Sequence, residues 1–143
     1  MRHSGDPRVE AWTLMQELML GQKGRMFAIA GEFELAPAQV MALGRLEPGR
    51  PCAMSELAGA LRCDNSNVTG IADRLEARGL VERRAAEHDR RLKMLHLTDQ
   101  GAELRERLWE RLSRPPEPLA GLSEEDAAAL RDVLRRALRP EGD

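Results

Sequence analysis

Four short polar side chains occur within five consecutive positions near the middle of the chain: Asn65, Ser66, Asn67 and Thr69. A carboxamide places a donor beside an acceptor, which matches the N6/N7 edge of adenine, and a hydroxyl can contact several bases or a phosphate. An ordinary solvent-facing helix would carry Lys and Glu at such positions. The pattern therefore favours recognition by hydrogen bonds, and the alternative is a polar capping turn that reads nothing.

A cationic group follows on a predicted hairpin, and its five members are Arg83, Arg84, Arg90, Arg91 and Lys93. An arginine at a hairpin tip can enter a narrow minor groove of DNA, where the negative potential is strongest. We expect Asp89 to orient one of these arginines through a charge-assisted hydrogen bond. A solvated charged loop is the alternative for such a tip considered alone.

The polar group is predicted to lie at the start of a helix of about residues 65–78. Asp64 is a good N-cap and complements the helix dipole, and Gly79 suits a left-handed C-terminal cap. One face of this helix is apolar and should dock on a core: Val68, Ile71, Ala72 and Leu75. Gly70 and Arg74 fall on the outward face with the polar group, and Gly70 would let the helix lie close to DNA.

The neighbouring elements complete a recognisable order. Ser55 is predicted to cap a short helix through Leu61, and a tight turn joins it to the helix at 65–78. Two short strands, 80–84 and 92–97, then enclose the charged tip. The predicted fold is mainly α with a small β-hairpin wing, that is, a winged helix-turn-helix.

Longer helices flank this unit. The apolar spacing predicts a helix over about 8–31, with a possible bend near Gly21 and Gly24, and another after Pro37. Thr98 should cap a helix to about residue 114, and Ser123 should open the last helix. We expect one integrated domain, with an N-terminal dimerisation helix in 1–35, a DNA-binding lobe in 36–100 and C-terminal dimerisation helices in 101–143.

The composition narrows the function classes. The 143 residues are 42% apolar and 32% charged, which is typical of a globular protein, and no apolar stretch is long enough for a membrane span or a signal peptide. We therefore expect a cytoplasmic protein. The net charge is −2, whereas residues 62–93 carry eight basic and six acidic side chains and residues 117–143 carry four and seven. Contact with phosphate is thus expected through one face only.

Catalysis is disfavoured by the residues that are present. His3, His88 and His96 have no Ser, Cys or carboxylate partner at motif spacing, and no phosphate loop or metal motif occurs. We expect no enzyme activity, no metal and no cofactor. Cys52 and Cys63 match no zinc or redox spacing and are interpreted as small apolar residues, with a thiol switch as the alternative.

Segment 55–101 resembles the MarR family of bacterial transcription regulators. The resemblance is carried by D-R-L-E-A-R-G-L-V-E-R at 73–83, H-D-R-R at 88–91 and L-T-x-x-G at 97–101. It implies a sequence-specific regulator, more commonly a repressor, that binds a pseudo-palindromic site in double-stranded DNA as a homodimer. The alternative function is a winged helix for protein–protein contact without a DNA target.

The resemblance also implies roles for particular residues. Asn65, Ser66, Asn67 and Thr69 would face bases, Arg74 would face the backbone, and Arg91 would be the wing-tip arginine positioned by Asp89. Gly70 departs from the larger, often basic residue of the family, so the resemblance does not fix the base preference at that point. The family often releases DNA when a small hydrophobic or aromatic effector binds, and the side chains predicted for such a pocket are Trp12, Met15, Met19, Phe27 and Met41. The alternative is that this stripe is packing.

Overall fold

A computed structural model describes residues 5–139, which form eight helices and three strands. The helices are α1 (Pro7–Gly21), α2 (Lys23–Glu32), α3 (Pro37–Arg45), α4 (Met54–Leu61), α5 (Asn65–Ala77), α6 (Asp99–Leu112), α7 (Glu117–Ala120) and α8 (Glu124–Ala137). The strands are β1 (Cys52–Ala53), β2 (Val81–Ala85) and β3 (Lys93–Leu97). The predicted fold class, mainly α with a β-hairpin wing on a helix-turn-helix, is confirmed.

Three predicted helix starts use the capping side chains that the sequence indicates. Asp64 accepts from the main-chain N–H of Asn67 at 2.8 Å, and Thr98 accepts from Gly101 at 3.0 Å. Ser123 accepts from Asp126 at 3.1 Å. A side-chain oxygen at this position satisfies one of the free N–H groups of the first turn, which is why these residue types mark helix starts.

Two local predictions are wrong in detail. Ser55 is not a cap, because Ala53 pairs with Met94 in the sheet and the chain passes directly from β1 into α4 at Met54. The helix predicted over 8–31 is not continuous: it is divided at Gln22, between the two glycines where a bend was predicted, and the Gln22 N–H donates to the carbonyls of the last turn of α1. Strand β1 was not predicted, since two residues give no alternating pattern.

The three strands form an antiparallel sheet in the order β1-β3-β2. Leu95 is central: it pairs with Cys52 on one side and Arg83 on the other, and its side chain is fully buried. The core of residues 23–113 collects buried side chains of α2 to α6 and the sheet, and α5 contributes Val68, Ala72 and Leu75. The wing, defined here as residues 81–97, is therefore anchored on the same core as α5.

The start of α6 is tied to the end of α5. Gly79 takes a φ of 72° and leads the chain into β2, and the Thr98 hydroxyl donates to its carbonyl at 2.6 Å. A Cβ at Gly101 would lie 2.0 Å from the Leu80 carbonyl oxygen, so only glycine fits there. The L-T-x-x-G motif thus closes the base of the wing.

Residues 5–22 and 114–139 form a second compact unit with α1, α7 and α8. None of the residues of α1 or α8 is buried in the single chain. The exposed apolar side chains of this unit include Trp12, Met19, Leu20, Val133 and Leu138. Within residues 5–139, no single helix is long and apolar enough to cross a membrane. The segments 7–32 and 37–45, which are bent relative to each other, reach the required length and apolarity only when they are taken together.

Candidate nucleic-acid interface

The first turn of α5 is organised by Asp64. Its Oδ1 accepts from the Asn67 main-chain N–H and from the Ser66 hydroxyl, both at 2.8 Å. These two hydrogen bonds, the main-chain one first, hold the pKa of the Asp64 carboxyl below its ordinary value. The same two hydrogen bonds cap the helix and engage the Ser66 hydroxyl.

The polar side chains of this turn differ in the hydrogen-bond donors and acceptors that they can still offer to another molecule. The Ser66 hydroxyl donates to Asp64, and the Thr69 hydroxyl donates to the Asn65 carbonyl at 2.7 Å, so both retain only acceptor capacity. Neither carboxamide, of Asn65 or of Asn67, has a hydrogen-bond partner within residues 5–139, and both residues are exposed. The two asparagines are the groups free to donate and accept toward another molecule.

The opposite face of α5 fixes which way this turn points. Val68, Ala72 and Leu75 are buried, as the sequence predicts, and Ile71 is half-buried. A Cβ at Gly70 would meet no atom within 4 Å, so packing inside the protein does not require glycine there. Arg74 is exposed and forms no ion pair with any other described residue.

The wing carries fewer free cations than the sequence count suggests. Arg83 is 27% exposed and is neutralised by α5, because its Nη2 lies 2.5 Å from Asp73 Oδ1 and 3.1 Å from Glu76 Oε1. Its guanidinium lowers the pKa of Glu76. Arg84 pairs with Glu82 on the same strand. Of the five cations predicted on the hairpin, three have no ion-pair partner in the described chain: Arg90, Arg91 and Lys93.

Asp89 shapes the wing tip through the main chain. Its Oδ1 accepts from the Arg91 main-chain N–H at 2.9 Å, and no hydrogen bond joins it to a guanidinium within residues 5–139. The expectation of a direct carboxylate–guanidinium contact is thus wrong for this structure. An aspartate that bonds the N–H two residues on forms an Asx turn, which the Leu92 N–H to Asp89 carbonyl bond at 3.1 Å reinforces.

A cleft of about 330 Å³ joins the start of α5 to the wing. It is lined by Met54, Ser55, Asn65, Thr69, Arg83, Arg91, Leu92 and Lys93. The structure thus brings together four of the predicted site residues: Asn65, Thr69, Arg91 and Lys93. The other six, Ser66, Asn67, Gly70, Arg74, Asp89 and Arg90, do not line it, although they are exposed or, for Gly70, half-exposed.

Met54, Ser55 and Leu92 line the cleft although the sequence did not predict them as site residues. The sequence assigned Ser55 to a cap because serine before an apolar run is a common helix start. Its place in the cleft follows from β1, which delivers the N-terminal end of α4 beside β3. A two-residue strand leaves no pattern from which this could have been found.

The side chains predicted for an effector pocket are all exposed, between 40% and 63%: Trp12, Met15, Met19, Phe27 and Met41. The first three belong to α1, and Phe27 and Met41 belong to the unit of residues 23–113. They are not packed in a monomer core. Their role in effector binding stays a prediction.

The two cysteines differ from the polar groups of α5 and the wing in that both are partly buried. Cys52 and Cys63 are half-buried, and burial, followed by the nearby Glu56 carboxylate, raises the pKa of the Cys52 thiol. A raised pKa lowers the thiolate fraction that would react. Within residues 5–139, no group of three or more His, Cys, Asp or Glu side chains is placed to hold a metal ion.

Comparisons with known proteins agree on one family. The MarR family model matches residues 35–93. The transcriptional repressor MprA of Escherichia coli (strain K12) is 35% identical over 127 residues, which are 87% of this chain and 70% of that protein. The YusO protein from Bacillus subtilis has a similar crystal structure, with a TM-score of 0.74, 28% identity and coverage of 94% and 96% of the two chains. A crystal structure of an S. aureus MepR–DNA complex shares the fold, with a TM-score of 0.63 and 21% identity over 87% of this chain and 98% of that one.

Proposed function

The chain belongs to the MarR family, and we propose that it is a sequence-specific DNA-binding transcriptional regulator that acts as a homodimer. The observation that carries the proposal is the cleft in which exposed groups of the first turn of α5, Asn65 and Thr69, meet the wing cations Arg91 and Lys93. Hydrogen-bonding groups specify bases, and cations bind phosphates. The combination is what a protein needs to read a duplex.

The first turn of α5 is the proposed base-reading element. The N-terminal end of a recognition helix enters the major groove, and an asparagine carboxamide can pair with adenine. Asn65 and Asn67 are exposed and unengaged in the described chain, while Ser66 and Thr69 offer acceptors. The open space over Gly70 supports a close approach of the helix to the duplex.

Phosphate binding is assigned to cations that have no ion-pair partner in residues 5–139. Arg74 would meet the backbone beside the major groove, and Arg90, Arg91 and Lys93 would meet the backbone and minor groove at the wing. The Asx turn of Asp89 would hold Arg91 at the tip by fixing its main chain. Two exposed arginines on the loop and the exposed Lys93 at the start of β3 also explain how a protein with a net charge of −2 would bind DNA through one face.

The homodimer is supported by apolar surface on the unit that contains α1 and α8. A groove of about 690 Å³ runs along α7 and α8 and is lined mainly by apolar side chains, among them Leu119, Leu122, Leu130, Leu134 and Leu138. None of the residues of α1 or α8 is buried, and large apolar side chains exposed together on one unit are typical of an interaction site. A second copy is the proposed occupant, and twofold symmetry would place two half-sites about 34–36 Å apart on a pseudo-palindrome. The predicted division into 1–35, 36–100 and 101–143 stays a prediction under this proposal.

Repression is the proposed mode, because the curated relative MprA is named a transcriptional repressor. Release by a small hydrophobic or aromatic effector is proposed with it, and the exposed Trp12, Met15, Met19, Phe27 and Met41 remain its predicted contacts. A screen of aromatic acids tests this by measuring which compounds lower the affinity of the protein for DNA.

We place the protein in the cytoplasm, since a regulator must reach the DNA that it binds.

The test is selection of bound fragments from a random duplex library by the purified protein, followed by titration of the selected duplex at several salt concentrations. An enriched inverted repeat with half-sites one helical turn apart, bound by two protomers in analytical ultracentrifugation, is the expected result. Absence of enrichment, with no measurable duplex binding, would contradict the proposal. It would favour a winged helix that contacts other proteins.

A further inference from the structure

Two non-glycine residues within 5–139 adopt left-handed backbone conformations: Glu34 with a φ of 56° and Arg62 with a φ of 52°. This region places Cβ close to the following carbonyl oxygen, so it is a conformation that L residues other than glycine and asparagine rarely take. A residue held there is commonly explained by contacts that fix it or by a function. Contacts within the protein account for the conformation of Glu34 but not for that of Arg62.

Tertiary contacts explain Glu34. The Arg78 guanidinium donates to the Glu34 carbonyl at 2.8 Å and to the Phe33 carbonyl at 3.1 Å. These bonds come from the end of α5 and hold the corner between α2 and α3. The strained backbone of Glu34 is thus part of the packing of the domain.

No such contact explains Arg62. Its own N–H donates to the carbonyls of Ala58 and Gly59, and the Cys63 N–H donates to Ala58 at 3.1 Å. All three are main-chain hydrogen bonds of a helix C-terminus, which glycine would make with less strain. The Arg62 side chain is exposed and has no hydrogen bond or ion pair within the described residues. No residue within 5–139 engages its guanidinium.

The position of Arg62 indicates a use outside the protomer. It lies in the turn between α4 and α5, three residues before Asn65, the first residue of α5. Asn65 and Arg74 are nine residues apart on α5, or about 13.5 Å at 1.5 Å per residue. The major groove is about 12 Å wide, and a phosphate strand borders it on each side. Arg62 thus precedes the first turn of α5 and Arg74 follows it by two to three helical turns, so a free cation lies on each side of the segment proposed to read bases.

We propose that Arg62 binds a DNA phosphate beside the major groove, and that arginine is retained in a left-handed conformation for this contact. The inference rests on the proposed DNA-binding function and adds a residue that neither the polar turn nor the wing accounts for. It predicts effects of opposite sign on stability and on binding. If Arg62 had only a structural role, thermal stability and DNA affinity would fall together. A rise in stability with a loss of affinity therefore indicates a functional contact.

The experiment compares wild type with Arg62→Gly, Arg62→Gln and Arg62→Lys. Arg62→Gly should raise the Tm because glycine relieves the strain, while the slope of log K against log salt should become less steep by about 0.9 for each protomer bound. Arg62→Gln should leave the Tm unchanged and reduce the slope equally. Arg62→Lys should preserve most of the slope because it keeps the charge. The probes are a duplex pool of random sequence and the selected duplex, and both should show the same loss.

Arg136→Gln is the matched control, since Arg136 is exposed on α8, forms no ion pair among the described residues and does not line the apolar groove. It removes the same charge and should leave the salt slope unchanged. If wild type binds duplex DNA and the Gly and Gln variants keep its slope, the Arg62 contact is overturned while the proposed function stands. If wild type binds no duplex at all, the proposed function fails and the Arg62 contact fails with it.

Discussion

The guanidinium of Arg83 lies 2.5 Å from the carboxylate of Asp73, and this contact joins the wing to α5. Glu76, one turn further along α5, accepts from the Arg83 main-chain N–H at 3.0 Å and from its guanidinium at 3.1 Å. These three charge-assisted contacts connect strand β2 to α5. We therefore expect Arg83 to help fix the spacing between the proposed base-reading turn and the proposed phosphate-binding tip.

Arg83→Ala should lower both the thermal stability and the affinity for DNA. It removes the contact between wing and helix and leaves two carboxylates of α5 close together without a cation. Arg84→Ala is the matched control, because Arg84 pairs only with Glu82 on its own strand and exposed pairs contribute little. Thermal unfolding and titration of the selected duplex measure the two effects. Equal effects of the two substitutions would contradict the linking role.

The cap at Asp64 should make stability depend on acidic pH. The pKa of Asp64 in the folded protein is lower than the ordinary value of 3.8. The contribution of the cap to the free energy of unfolding is therefore complete above pH 3.8 and is lost as the pH falls through the pKa of the folded state. Asp64→Asn keeps an oxygen acceptor for the Asn67 N–H and removes the titration. Urea unfolding at a series of pH values below about 5 should show a smaller loss for the variant than for wild type. Parallel curves would show that the cap does not contribute.

Asn67→Ala should weaken binding by about 1–3 kcal/mol on the selected duplex and by much less on random sequence. The reason is that its carboxamide, free in the described chain, would lose a base-specific pair while the phosphate contacts remain. Titration of both duplexes at one salt concentration gives the ratio of affinities. An equal loss on both would remove Asn67 from the base-reading set.

Arg91→Ala should weaken binding to every duplex alike. The arginine stands at the wing tip without an ion-pair partner in residues 5–139, and each lost phosphate contact reduces the salt slope by about 0.9. The measurement is the slope of log K against log salt for the selected and random duplexes. A loss confined to the selected duplex would instead indicate base readout by the wing.

Gly101→Ala should destabilise the protein by about 3 kcal/mol, because the new Cβ would lie 2.0 Å from the Leu80 carbonyl oxygen and β2 would have to shift. Gly70→Ala is a useful contrast, since its Cβ meets nothing within 4 Å and alanine favours a helix interior by about 0.5–1 kcal/mol. Denaturant unfolding should therefore give changes of opposite sign. If Gly70→Ala also weakens DNA binding while it stabilises the fold, the close approach of α5 to the duplex is supported.

The sequence by itself determined the elements whose signals are local. The caps at Asp64, Thr98 and Ser123 and the apolar face of α5 are where the residue types indicate, because a cap or a helical stripe depends on neighbours within one or two turns. The fold class followed from their order. The polar turn at 65–69 was visible for the same reason.

The tertiary structure decided which charges and donors are available. Sequence counting treats Arg83 and Arg91 alike, but the return of β2 along α5 neutralises the first and leaves the second without an ion-pair partner in the described chain. Because Ala53 pairs with Met94 in the sheet, α4 begins at Met54 and not at the predicted cap Ser55, and Ser55 lines the cleft. The left-handed turn at Arg62 was equally invisible. Interactions of this kind depend on distances between residues that are far apart in the chain, and spacing along a sequence does not contain those distances.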